Sequence, residues 1–195
     1  MHAKLMLVMI ADRLNLNTTV AALAALLLFS LPAAALDQGK LDKLYGELGH
    51  ADADAAQRIA ADIQLEQSKS GSPSMDLLLK RGRDAIETGD TGAAIEHLTA
   101  LVDHAPGFAD GWHARAIAYA RAELYGPALG DLERALALNP RHFDAIASLG
   151  ALLHEVGYDD LARAAYARVL DIHPHFEDVA LMLESLDAET GGSDI

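Results

Sequence analysis

The chain has 195 residues, 51% of them hydrophobic and only 5% aromatic, a size that suits one domain with a core of small aliphatic side chains. Its 29 acidic and 15 basic residues give a net charge of −14, which argues against a nucleic-acid partner because phosphate binding needs a basic footprint. There is no cysteine, which excludes disulfides, thiolate catalysis and a lipidated N-terminal cysteine.

The first 35 residues are expected to be a signal peptide. Residues 20–31 read VAALAALLLFSL, with Ser30 as the single polar side chain, and Pro32 and three alanines follow. An apolar run of this length ending in small residues predicts export, with cleavage expected after Ala35. The run is short for a membrane span, which needs roughly 20 apolar residues, so no stable membrane insertion is expected once it is removed. Lys4 and Arg13 supply little positive charge before it, and Asp12 offsets part of that. Translation from Met6 or Met9 would leave Arg13 as the main charge. Retention of the run as an uncleaved anchor stays open as an alternative.

Residues 36–74 predict a helical pair and a linker. Leu41, Leu44, Tyr45 and Leu48 recur at three- and four-residue steps and make one helix face. A second helix over 52–70 carries Ala55, Ile59 and Ile63 on its face, joined by Ala56 and Ala60. The run SKSGSPS at 68–74 breaks the pattern. Ser72 is expected to cap the next helix, with Pro73 at its first position. This divergent pair is expected to cover the first of the units that follow.

From residue 75 the chain repeats itself. Pro106, Pro140 and Pro174 stand 34 residues apart, which divides the chain into 75–108, 109–142 and 143–176. The first unit carries Leu78, Gly82, Ala85, Gly89, Ala94, Leu98 and Leu101 in register. The second carries Trp112, Ala116, Tyr119, Ala128, Leu132 and Ala135. The third carries Ile146, Gly150, Leu153, Gly157, Ala162, Tyr166 and Val169. The small residues Gly82, Ala116 and Gly150 predict close approach between paired helices, with Ala94, Ala128 and Ala162 opposite. Gly89 and Gly157 predict a tight turn, and each proline ends a helix by restricting the residue before it. Trp112 and Tyr119 are expected to fill gaps between pairs, so truncating a fully buried Trp112 would cost about 3–5 kcal/mol. Pro127 falls in the first turn of its helix and is tolerated there. Residues 177–189 predict a closing helix with Val179, Met182, Leu183 and Leu186 as its apolar stripe, and 190–195 form a tail.

This register resembles the tetratricopeptide (TPR) family, whose repeat length is 34, over about half of the chain. The resemblance implies an all-α, helical-hairpin solenoid with an N-terminal helical pair and a C-terminal capping helix. It also implies a concave groove lined by the second, fifth, ninth, twelfth and thirteenth positions of each first helix. Those positions hold Asp76, Leu79, Arg83, Ile86 and Glu87 in the first repeat. They hold Asp110, His113, Ile117, Ala120 and Arg121 in the second, and Asp144, Ala147, Ala151, His154 and Glu155 in the third. Arg83, His113, Arg121 and His154 are the candidate polar contacts. In the subgroup that clamps a C-terminal carboxylate, polar groups would stand where this chain has Leu79 and Ile117, which argues against that specificity.

Catalytic chemistry has no constellation behind it: there is no phosphate loop, HExxH or nucleophile elbow. His97, His104, His113, His142, His154, His173 and His175 fall at different repeat positions and form no ladder. His173–Pro174–His175 reads as a solvated turn. No catalytic residue, metal ligand or cofactor is expected. The resemblance extends to small exported TPR proteins of Gram-negative bacteria and implies a non-enzymatic periplasmic scaffold that binds a protein or peptide segment in its groove. The alternative is a membrane-tethered TPR subunit of an envelope biogenesis complex, such as cytochrome or pilus assembly. The oligomeric state is not legible.

Overall fold

The computed structural model describes residues 38–191; the expected leader at 1–35 and the last four residues lie outside them. Among the described residues there are nine helices and no strand. The first pair is α1 (Gln38–Leu48) and α2 (Ala53–Gln67). Then come α3 (Pro73–Glu87) with α4 (Thr91–His104), α5 (Ala109–Arg121) with α6 (Tyr125–Leu138), and α7 (Phe143–Glu155) with α8 (Asp159–Ile172). Helix α9 (Glu177–Gly191) follows.

Each 34-residue unit contributes two helices that pack on one another, and α4 then packs on α5 as α6 packs on α7. The first helices also touch in sequence, α3 with α5 and α5 with α7, and so form one continuous inner row. The pairs are close because the residue at their crossing is small. A Cβ on Gly82 would lie 2.4 Å from Leu98 Cγ, and one on Gly150 would lie 2.6 Å from the Tyr166 ring. The turn within the pair demands a left-handed residue. Gly89 and Gly157 take it at φ +79° and +82°, while Glu123 takes it in the second repeat at φ 59°. At the other end Ala105, Asn139 and His173 leave the helical region at φ −131°, −137° and −129°, as the residue before a proline must.

A buried ion pair that the periodic pattern did not reveal ties the second repeat together. Arg115 Nε and Nη2 donate to the two oxygens of Asp131 at 2.7 and 2.9 Å. Its guanidinium also lies 5.0 Å from the Trp112 ring centre and 5.4 Å from that of Tyr119. Trp112 is half-buried and donates its Nε1 to the Pro106 carbonyl at 3.0 Å. The expectation of full burial is thereby corrected.

Three further expectations change. The α1–α2 pair packs on the third repeat instead of covering the first. Tyr45 meets Phe143 edge-on with ring centres 6.4 Å apart, and the Arg141 guanidinium sits 4.4 Å over Tyr45. Arg141 also pairs with Asp42, and Gln64 Nε2 donates to both Asp144 oxygens at 3.2 Å. Leu44, Leu48, Ala56, Ala60 and Ile63 join the core of Phe143, Ile146, Tyr166 and Val169. The reason is an aromatic hub: Phe143 lies 5.5 Å from His173 and 6.0 Å from Phe176, an apolar surface at the turn edge that the pair covers. Second, Ser72 precedes α3 but its side chain makes no capping bond; Asp76 instead accepts from Ser70 N and Oγ at 2.8 and 2.6 Å. Third, α9 buries Val179 and Leu186 against α8, but Met182 is exposed.

Candidate functional site

The inner row leaves an open hollow between α5 and α7, with a volume of about 350 Å³. Ala116, Ile117, Ala120, Leu132, Ala151 and Leu152 make its apolar wall, and Arg121, Tyr125, Ser148 and Glu155 bring polar groups to it. Small residues make the hollow: three alanines on facing helices leave room that larger side chains would fill. Arg121 is exposed, and its Nη1 donates to the Ile86 carbonyl at 2.8 Å. The guanidinium is thereby held at the rim, with further donors available to an incoming acceptor.

The fifteen groove positions separate into distinct environments. Ile117, Ala120, Arg121, Ala151 and Glu155 line the hollow. Leu79 and Ile86 are buried in the core between α3 and its neighbours, so they support the groove from beneath. Glu87 is exposed at the end of α3. Asp76 holds Ser70, and His154 Nδ1 lies 2.7 Å from Asp159 Oδ1. Asp144 and Ala147 face the α1–α2 pair's edge of the groove, where Gln64 bonds Asp144. Arg83, expected as a polar contact, stays partly exposed while its Nη2 donates to Asp110 Oδ2 at 2.7 Å.

Asp110 and His113, expected to face a partner, are 3% and 6% exposed. They form a buried polar cluster with His142. Asp110 Oδ1 lies 3.9 Å from His113 Nδ1 and 3.6 Å from His142 Nε2. The two imidazoles stand edge to face with centres 4.8 Å apart. His113 Nε2 lies 2.9 Å from Ser148 Oγ on α7. Burial would raise the Asp110 carboxyl, but the facing histidines and Arg83 outweigh it and hold the group well below the usual carboxylate range. Burial pushes the His113 imidazole down, against the pull of Asp110. The cluster borders a hollow of about 440 Å³, which Gln64, Gln67 and Asp144 also line.

Sequence periodicity missed this cluster because His113 and His142 occupy opposite ends of one repeat. The turn after α6 carries His142 back beside the start of α5. The signal was available in the stacking rule, since the last residue of a repeat adjoins the first helix of the same pair. His173, read as solvated, is also corrected: it is 5% exposed and lies 5.3 Å from Phe176. Its partner in the His-Pro-His run, His175, is exposed.

No family model matches the chain. A TPR repeat-containing protein of Rhizobium etli is 35% identical to it over 136 residues, which span 69% of this chain and 67% of that relative. The chain belongs to the tetratricopeptide-repeat family. Among solved structures, the first TPR domain of Spaghetti (RPAP3), bound to an HSP90 peptide, is similar with a TM-score of 0.59 and 25% identity. That match covers 62% of this chain and 95% of the domain. MamA is similar with a TM-score of 0.57 and 26% identity, over 72% of this chain and 80% of that one.

Proposed function

We propose that this chain is a non-enzymatic interaction scaffold that docks a short, largely apolar protein segment in the hollow between α5 and α7. The observation that carries the reading is the combination of an apolar alanine-lined wall with Arg121 and Glu155 at its edge. Apolar side chains of the segment would be desolvated against Ile117, Ala120 and Ala151. An acidic group beside them would meet Arg121, and a basic group would meet Glu155. The rigid inner row keeps the site preorganised, which lowers the ordering cost of binding. A carboxylate clamp fits less well, because Arg83 is held by Asp110 and Leu79 is buried.

The scaffold is proposed to work in the cell envelope, on the strength of the apolar run at 20–31 and the alanines after it. A membrane-tethered subunit of an envelope biogenesis complex is the second reading, and the same run favours it if it is retained. Among the described residues no helix is long and apolar enough to cross a membrane. The mass of the mature N-terminus separates the two: cleavage after Ala35 supports the released scaffold, and a chain that keeps 20–31 supports the tether.

The docking site is tested by affinity capture from envelope extracts with the wild type and Ala151→Glu. Ala151 is exposed on α7, so the substitution places a charge in the hollow without entering the core. Recovery of the partner is expected to fall at least about tenfold, corresponding to about 1.4 kcal/mol. Equal recovery would remove the hollow as the binding site.

A further inference from the structure

We propose that Asp110, His113 and His142 form a binding site for a divalent transition-metal ion of the zinc class. Their donor atoms all lie within 4.8 Å of one another. A tetrahedral ion with bonds of about 2.0–2.1 Å needs its ligands about 3.4 Å apart, so modest side-chain rotation closes the set. Two imidazole nitrogens and one carboxylate oxygen suit zinc and its neighbours better than magnesium or calcium, which prefer oxygen.

The second observation is His142 itself. It is 2% exposed, and neither ring nitrogen has a hydrogen-bond partner. A buried polar group without a partner is destabilising, and a metal bond at Nε2 would relieve one of the two orphans. That nitrogen already faces Asp110 Oδ1. The surroundings orient the other ligands. Ser148 holds His113 Nε2, which presents Nδ1 to the carboxylate. Arg83 occupies Asp110 Oδ2 and leaves Oδ1 toward the rings. Such outer partners fix ligand geometry in metal sites. The three ligands also line the adjoining hollow of about 440 Å³, which offers space for a fourth ligand. An ion here would join α5 to the turn between α6 and α7 and so brace the floor beside the groove.

The test uses the full chain, purified without a polyhistidine tag and stripped with chelator, with Zn²⁺ and Co²⁺ as probes. One equivalent of Zn²⁺ is expected to bind and raise the melting temperature, and Co²⁺ is expected to give visible ligand-field bands. His142→Ala is expected to weaken Zn²⁺ binding at least about tenfold and to abolish the bands, while His50→Ala and His175→Ala leave both unchanged. Ser148→Ala is expected to weaken binding about 10–100-fold. The wild type supplies a readout independent of variant folding: Zn²⁺ is expected to shift the imidazole nitrogen resonances of His113 and His142. Absence of stoichiometric uptake at about 100 μM Zn²⁺, a His142→Ala protein that binds as the wild type does, or unmoved His113 and His142 resonances would each overturn the proposal.

Discussion

Among the described residues, Glu123 is the non-glycine residue held at positive φ. It holds φ 59° where Gly89 and Gly157 hold the corresponding turns of the other repeats. A side chain in the left-handed region costs roughly 1–2 kcal/mol because Cβ crowds the carbonyl. Glu123→Gly is therefore expected to stabilise the chain by about 1 kcal/mol, read as a higher urea midpoint with unchanged slope. The opposite holds at Gly150, where a Cβ would meet the rigid Tyr166 ring at 2.6 and 2.8 Å. Gly150→Ala is expected to cost about 1–3 kcal/mol through overpacking, despite alanine's better helix propensity. A raised melting temperature in that variant would mean that the ring moves aside freely. Gly150 was legible in the sequence as the small residue at a crossing, whereas the turn glycines Gly89 and Gly157 have no glycine counterpart in the second repeat, so the strain at Glu123 emerged only in the fold. The identity of the atom opposite Gly150 needed the folded pair.

At the scale of elements, the α1–α2 pair is the part whose placement the periodic pattern did not predict. Its amphipathic faces were legible, since Leu44, Tyr45, Leu48 and Ile63 recur at helical spacing. Which surface they cover was not, because Phe143, His173 and Phe176 come together only when the third repeat folds. The pair is held by Tyr45, whose hydroxyl accepts from Gln67 Nε2 at 2.8 Å. Tyr45→Ala is expected to cost about 3–5 kcal/mol, by analogy with other buried aromatic truncations, and to expose α1 and α2 to hydrogen exchange while α5–α8 stay protected. Uniform loss of protection would show that the pair and the repeats unfold as one unit. Burial pushes the Tyr45 phenol up to about 12. The unfolded phenol ionises near its ordinary value of about 10, so this stabilisation is complete below pH 10 and is lost as pH rises toward 12. Tyr45→Phe is expected to flatten that alkaline limb in a pH series of urea midpoints.

For the molecule as a whole, acid should be destabilising before the carboxylates titrate. Burial pushes His173 below its ordinary value; Asp144 pulls it up and His175 pushes it further down. The unfolded imidazole, near about 6.5, takes a proton first as pH falls. Folding stability from this group is thus complete above about pH 6.5 and declines below it. The melting temperature is expected to drop between pH 7.5 and 5.5 with chelator present, and His173→Gln is expected to reduce that drop. An unchanged pH slope in the variant would assign the acid sensitivity to other groups. Asp144 connects this behaviour to the docking of α2, since it also accepts from Gln64.

The amino-acid sequence by itself determined the period, the helical pairs, their left-handed turns and the prolines that end them. These follow from local backbone restriction and from which side chains recur at fixed steps, so they need no knowledge of distant neighbours. It also pointed to Ile117, Ala120, Arg121, Ala151 and Glu155 on the inner row through the family register. Only the tertiary structure decided that Leu79, Ile86, Asp110 and His113 sink below that surface, that Arg83 pairs with Asp110, and that His142 arrives beside His113. Burial and pairing depend on side chains brought from other helices, and a repeat pattern treats equivalent positions as alike. The divergent N-terminal pair adds to the difference, because it packs against the third repeat and brings Gln64 and Gln67 to one edge of the groove.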